Sequence, residues 1–219
     1  MNYDAYRYLY PPRPENTIAP TDLGVIESMG WWGQAKFNGT CCTIYVPAWR
    51  TREGASGRST AMGRHGPENR LTDWQPGKAW EAFSSTLSAG WYVFVGELLH
   101  SKVKGGPKGT IVLFDLLVED GEYLVGERYQ ERFRRLERLL KFYNSEPFCE
   151  LTHKEFNEGV WLVNNHGRGF KDWFAAPAPD YVEGLVFKDK NAKLLPCGRQ
   201  TANKGWQVKC RRPTANKSF

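Results

Sequence analysis

Apolar residues in this chain fall into short runs broken by glycine, proline and charge, a pattern that predicts several strands and few helices. Gly33–Phe37 and Cys41–Val46 read as successive strands, the second ending at Pro47. Trp91–Leu99 and Thr110–Val118 are short enough to be buried strands, and Val182–Asp189 and Gly205–Arg211 return to strand later in the chain. The helical period is clearest over Glu127–Tyr143, where Tyr129, Phe133, Leu136 and Leu140 form an i, i+4, i+7, i+11 stripe. The arginines of this segment read as a solvated helix face. Shorter helices are predicted near Thr21–Met29, with Thr21 and Asp22 as capping candidates, over Trp80–Leu87 before Gly90, and over Lys154–Asn164. Arg50–Gly66, rich in turn residues and charge, reads as a mobile loop, and the basic, glycine-rich Lys102–Gly109 as a hairpin loop. The order of elements predicts a mixed antiparallel α+β fold rather than alternating βα units. The chain divides into an arm with a short helix (1–30), a body (31–211) and a basic tail (212–219).

Composition narrows the class. With 219 residues and 41% hydrophobic content, the chain can bury a substantial core. It has no apolar run of the ~18 residues that a membrane-spanning helix needs, and its tyrosine-rich, proline-broken start lacks the apolar stretch of a secretion signal. Five cysteines, none in a C-x-x-C pair, argue against a disulfide scaffold or structural zinc and for a reducing cytoplasm. The net charge of +6 is compatible with a polyanionic partner.

Four short segments carry the chemistry. Lys36-Phe37-Asn38-Gly39 sets a lysine at the end of a strand, beside a turn; alone it would be an ordinary surface hairpin. Gly96-Glu97 places an acid at the end of the apolar strand. Asp115, inside Leu113-Phe114-Asp115-Leu116-Leu117, must face a partner, a metal or a site, because an unpaired buried carboxylate costs several kcal/mol. In Glu183-Gly184-Leu185-Val186-Phe187-Lys188, alternation puts Glu183, Leu185 and Phe187 on one face and Lys188 on the other or at a bend; Lys209 and Arg211 share a face. Gly105–Thr110 lacks the spacing of a phosphate loop, and His100, His153 and His166 lack metal-ligand spacing. His65, beside Arg64, stands between a site and a loop role, and Trp206 reads as core or as packing beside a ligand.

Together and in this order, these segments resemble the covalent nucleotidyltransferase superfamily of ATP-dependent DNA and RNA ligases and mRNA-capping guanylyltransferases. The likeness runs through Lys36–Gly39, Arg64-His65-Gly66, Glu97, Phe114-Asp115, Glu183–Lys188 and Lys209/Arg211. Phe114-Asp115-Leu116-Leu117 and the YQERFRRLERLL segment look like the ligases, and the Lys-x-Asn-Gly and Arg-His-Gly elements look like minimal phage-type enzymes. The resemblance implies an ATP-grasp-like nucleotidyltransferase adenylation domain of antiparallel sheets flanked by helices, and a ligase that seals nicks through lysyl-AMP. It implies Lys36 as nucleophile, with Lys188 and Lys209 as catalytic cations on the α-phosphate that lower the lysine's pKa. Gln34, Ala35, Lys36, Glu97, Phe114, Glu183, Lys188 and Lys209 would bind ATP, Glu97 at the ribose and Phe114 stacked on adenine. Glu97 and Glu183 would hold Mg²⁺, or Mn²⁺ in its place, while Arg64, Lys102, Lys104 and Arg211 would contact nicked nucleic acid, DNA ahead of RNA.

The chain departs from the pattern where Asn38 replaces aspartate and Cys41 replaces a more polar residue. Larger ligases add an OB-fold domain after the last strand, for which the stretch after Arg211 leaves no room. Orientation of pyrophosphate would then fall to Arg7 or Arg13, to Arg52–Arg70, to Arg211–Lys217, or to a partner protein supplying the missing clamp. The expected protein is a cytoplasmic monomer; the alternatives are a non-catalytic nucleotide- or nucleic-acid-binding module, an RNA ligase and a capping-type guanylyltransferase.

Overall fold

The chain passes from one sheet to another at Asn38, and that crossing organises the molecule. The computed structural model describes residues 1–47, 60–66, 87, 90–99, 107, 109–141, 148–149, 151–157, 159–199 and 205–213. Its strands are β1 (Asn16–Thr17), β2 (Trp32–Phe37), β3 (Gly39–Val46), β4 (Thr60–Gly63), β5 (Tyr92–Leu99), β6 (Ile111–Glu119), β7 (Glu122–Tyr123), β8 (Phe148–Cys149), β9 (His153–Asn157), β10 (Val160–Val163), β11 (Val182–Lys188) and β12 (Gln207–Arg211). A 3-10 turn (Pro20–Asp22) leads into α1 (Leu23–Ser28); α2 (Tyr129–Lys141) and α3 (Phe170–Ala175) follow. The predicted helix over Trp80–Leu87 and the basic turn with Lys102 and Lys104 lie outside the described residues, apart from Leu87, Pro107 and Gly109, as do His100, most of Arg50–Gly66 and the tail beyond Pro213.

All described strands belong to two sheets. The smaller has the order β1-β12-β11-β2, the larger β4-β3-β5-β6-β10-β9-β8, with β7 paired to β6. Pairing is antiparallel except for β1 on β12 and β10 on β6. The apolar runs of β5 and β6 lie at the middle of the larger sheet, where Val93, Phe94, Val95, Leu113, Leu116 and Leu117 are fully buried. Strands covered on both faces need such continuous apolar runs. The Tyr129, Phe133, Leu136 and Leu140 stripe of α2 is buried against this sheet. A second cluster forms where Leu185 and Phe187 of β11 and Val208 and Cys210 of β12 meet Leu23 and Ile26 of α1 and Phe170 of α3. One face of the smaller sheet is thereby closed, and the opposite face is left for polar side chains.

Asp115 finds its partner in Arg132. The Nε and Nη2 groups of Arg132 donate to Oδ1 and Oδ2 of Asp115 at 3.0 and 2.9 Å, and Arg132 Nη1 donates to the carbonyl of Glu127 at 2.9 Å. Both side chains are buried. The solvated-face reading therefore fails for Arg132, which stands one helical turn beyond Tyr129 on the apolar stripe. The other arginines of α2 are engaged by acids: Arg135 by Glu119, Glu122 and Glu127, Arg134 by Glu131, and Arg138 by Glu119.

Two further expectations change. The predicted helix over Lys154–Asn164 is instead the pair β9 and β10, antiparallel, with Gly159 at φ +85 before β10. Val160-Trp161-Leu162-Val163 is buried at every position and pairs with β6 on its other edge, so its unbroken apolar run marks a central strand. Thr60–Gly63, read as part of a loop, is a strand on the edge of β3. Helix α3 has no counterpart among the predicted elements. Among the described residues no helix is long and apolar enough to cross a membrane.

The Asp115–Arg132 pair makes a stability prediction. Asp115→Ala leaves a buried guanidinium without its counter-charge and should cost about 3–5 kcal/mol in denaturant unfolding, whereas replacing both partners with apolar residues should recover most of that loss. A loss below about 1 kcal/mol for the single variant, the scale of an exposed ion pair, would contradict the pair's role as an anchor.

Candidate active site

The open face of the smaller sheet forms the floor of a cleft. Register builds it in rows: Lys36 of β2, Gly184 of β11 and Arg211 of β12 stand side by side, then Gln34, Val186 and Lys209, then Trp32, Lys188 and Gln207. The larger sheet supplies the facing wall, with Cys41 of β3 opposite Glu97 of β5, Phe114 of β6, and Arg64 and His65 after β4. The cleft has a volume of ≈ 1180 Å3, enough for a nucleotide with room beyond it.

Two glycines make the arrangement possible. Gly39 opens β3 directly after the crossing, and a Cβ there would meet the carbonyl oxygen of Leu98 at 2.2 Å. Gly184 has φ +147, and its Cβ would meet the carbonyl oxygen of Cys210 at 2.2 Å. The β11–β2 register shifts between Val182 and Gly184. Strict alternation would send Glu183 to the buried side with Leu185 and Phe187; this bulge instead turns it into the cleft, where its carboxylate pairs with Lys36 Nζ. The expectation that Glu183 shares a face with Leu185 and Phe187 is thus corrected.

The charges of the cleft are strongly biased by burial. Glu97 is pushed up to about 7, first by burial and then by Glu183, against the pull of Lys36 and Arg64. Lys188, 2% exposed, is pulled down to about 7, chiefly by burial. Its Nζ lies 4.5 Å from the ring centroids of both Phe114 and Tyr129 and donates to the Tyr129 hydroxyl at 3.2 Å. Lys209 is also lowered, by burial and then by Arg211, Lys36, Arg13 and Arg64, which identifies a concentrated cationic field. Burial pushes the Cys41 thiol up to about 12, with Glu97 adding to it, so Cys41 is a neutral wall residue.

Gln34, Ala35, Lys36, Glu97, Phe114, Glu183, Lys188, Lys209, Arg64 and Arg211 all line this one cleft, as does His65. Lys102 and Lys104 lie outside the described residues. Trp206 is buried core beside Tyr129 and does not line the cleft, and His153 packs its ring on Trp161. Sequence reasoning missed Arg199 and Gln207 as lining residues. Gln207 is two positions before Lys209 and was accessible to strand alternation, while nothing local distinguishes Arg199. It also left Arg7 and Arg13 undivided. Arg13 lines the cleft, while Arg7 lies over the rings of Tyr3 and Tyr123. The arm is held there by β1 on β12, by Ile18 N–H on the carbonyl of Lys209 at 2.9 Å, and by Lys209 Nζ on the carbonyl of Pro14 at 3.2 Å.

A buried lysine costs stability in a pH-dependent way. Because the folded value of Lys188 is depressed, its burden is full below about pH 7 and fades toward pH 10.5 as the unfolded chain loses the same proton. Lys188→Met should therefore raise the melting temperature more at about pH 6 than at about pH 10. An equal or smaller gain at the lower pH would show that Lys188 is not held against its charge.

Residues 29–204 match the model of the RNA ligase family. Among solved structures, the chain superposes on mycobacterial DNA ligase D complexed with ATP and MES with a TM-score of 0.60 at 22% identity, covering 93% of this chain and 60% of that one. The ligase domain of LigD from M. tuberculosis gives 0.54 at 22% identity, over 83% of this chain and 53% of that one. A Lig E DNA ligase gives 0.50 at 14% identity, over 84% and 62%. The chain thus spans about three fifths or less of these structures' length. No curated protein matches it in sequence. The two sheets and their flanking helices have the ligase nucleotidyltransferase fold, and the chain belongs to the RNA ligase family.

Proposed function

We propose that this chain is the adenylyl-transfer unit of an ATP-dependent ligase that seals nicked polynucleotides, DNA foremost, through a covalent lysyl-AMP. The observation that carries the reading is the convergence of Lys36, Lys188 and Lys209 on one cleft floor, facing Glu97 and Phe114, with Glu183 turned in by a bulge. A sheet built only for packing has no use for three lysines on one face.

In this reading, Lys36 Nζ bonds to the α-phosphorus of ATP as the bond to the bridging oxygen breaks, and pyrophosphate leaves with the electron pair. The amine must give up its protons in the process, and Glu183, already its hydrogen-bond partner, is placed to take one. Lys188 and Lys209 stabilise charge on the transferring phosphoryl oxygens. Phe114 offers a ring face for the base and Glu97 a carboxylate for the ribose. AMP then passes to a polynucleotide 5′-phosphate, and the 3′-hydroxyl of the adjoining strand displaces it to form the new phosphodiester. Arg64 and Arg211 serve the strand phosphates, with Lys102 and Lys104 proposed beside them.

Among the described residues no group of three or more acidic, histidine or cysteine side chains could hold a metal ion. Glu97 and Glu183 still offer hard carboxylate oxygens in one cleft, which suits Mg²⁺ or Mn²⁺ with the remaining positions filled by phosphate and water. Such an ion supplies charge neutralisation at the phosphates when bound. Of the two arm arginines, Arg13 lines the cleft, which supports assigning it, rather than Arg7, to the pyrophosphate. RNA is the second reading for the strand, favoured by the family model itself; the DNA reading draws on the folds of ligase D and Lig E.

Incubation with ATP and Mg²⁺ should add the mass of one AMP to the protein, and Lys36→Ala should abolish the adduct. Binding of ATP without any adduct would sink the enzymatic reading and leave a nucleotide-binding module; labelling by GTP instead would mark a capping-type enzyme. A panel of nicked DNA, RNA and hybrid duplexes decides the strand.

Arg13→Ala should slow adduct formation by roughly tenfold or more, the effect of losing one charged contact to phosphate. Arg7→Ala is the control expected to match the parent protein. Equal effects from the two variants would remove Arg13 from the reaction.

A further inference from the structure

At the buried end of the cleft floor, one hydroxyl holds two of its side chains. The oxygen of Tyr129, a fully buried residue, lies 2.9 Å from the carbonyl oxygen of Phe114, 2.6 Å from Gln34 Nε2 and 3.2 Å from Lys188 Nζ. A phenol has one proton to donate and two lone pairs to offer. Burial, with Asp115 nearby, holds its pKa well above the ordinary tyrosine value, so the proton stays. The carbonyl of Phe114 can only accept, and the proton therefore goes there. Whatever atom of Gln34 stands at 2.6 Å must then donate.

This chemistry fixes the Gln34 amide without reference to how its two ends are assigned. The nitrogen faces inward, its hydrogens given to Tyr129 and, at 2.8 Å, to Asn165 Oδ1. The carbonyl oxygen Oε1 is left for the cleft that Gln34 lines, and no described group donates to it. Asn165 in turn has its Nδ2 buried with no hydrogen-bond partner. That cost is tolerated to keep its oxygen on Gln34.

We infer that Tyr129 and Asn165 are positioning residues that set the base selectivity of this cleft, by locking Gln34 so that it presents an acceptor to the ligand. A base edge carrying an exocyclic amine, as adenine does, meets that acceptor with a donor. An edge carrying a carbonyl, as guanine does, sets acceptor against acceptor and leaves both unpaired, the situation that yields strong discrimination. The inference rests on the nucleotide reading of the cleft given above.

The test compares adduct formation from ATP and from GTP within each variant, so that any effect on Lys188, on the phosphates or on stability cancels in the ratio. Tyr129→Phe keeps the ring and removes both the proton and the acceptor; the preference for ATP should fall by about tenfold, the scale of one displaced buried hydrogen bond. Asn165→Leu should lower it in the same direction. Asn165→Asp, which retains an acceptor, should keep the parental ratio, and this pair carries the test if Tyr129→Phe does not fold. An unchanged ratio in Tyr129→Phe or in Asn165→Leu, or equal losses in Asn165→Leu and Asn165→Asp, would overturn the inference. Failure of the nucleotide reading is distinct, since the parent protein would then form no adduct with either nucleotide.

Discussion

One buried ion pair fixes the geometry on which the cleft depends. Asp115 lies on the central strand of the larger sheet, where water cannot reach it, and only a bidentate guanidinium on α2 satisfies both of its oxygens. That pairing sets both the rotation and the height of the helix against β6. Tyr129, one turn earlier, is carried to the buried end of the open face of the smaller sheet, where its hydroxyl reaches Gln34 and Lys188. A charge pair in one sheet thus determines side-chain positions in the other. The helix is better understood as a jig for the cleft floor than as a cover for the core.

The cleft itself runs at an electrostatic deficit. Lys188 and Glu97 are both pushed against their charged states by burial, and Lys209 is lowered by burial and then by the cations around it. Such an arrangement is poorly compensated until an anionic ligand arrives. A polyphosphate would supply the counter-charge that the fold withholds. The Lys36–Glu183 pair is the local exception, each charge there meeting its opposite.

Much of this was legible in the chain. Short apolar runs located the central strands and the 3.6-residue period located α2, and the cleft residues followed from six ordered short elements, because strand ends and tight turns are written in adjacent residues. What escaped notice depends on partners far along the chain. Val160–Val163 could not be told from helix by its apolar run alone; burial between β6 and β9 makes it a strand. The inward turn of Glu183 needs the bulge that Gly184 permits against Cys210, a contact between strands. Arg132 looked like its neighbours in an arginine-rich helix, since only the carboxylate of Asp115 distinguishes it. Arg13 could not be separated from Arg7 until β1 had been placed beside β12.

That last pairing has a bearing on how the protein is made. Residues 16–17 wait on one edge of the smaller sheet for a strand that begins at Gln207, and Lys209 gains its carbonyl partner at Pro14 only then. During synthesis the larger sheet has all its described strands by Val163, and its core can consolidate before the floor of the cleft exists. Closure across so long a stretch of sequence is slow and comes late. A nascent chain can therefore hold the larger sheet beside an unassembled site, and the arm that lines the cleft is the part left longest without its neighbour.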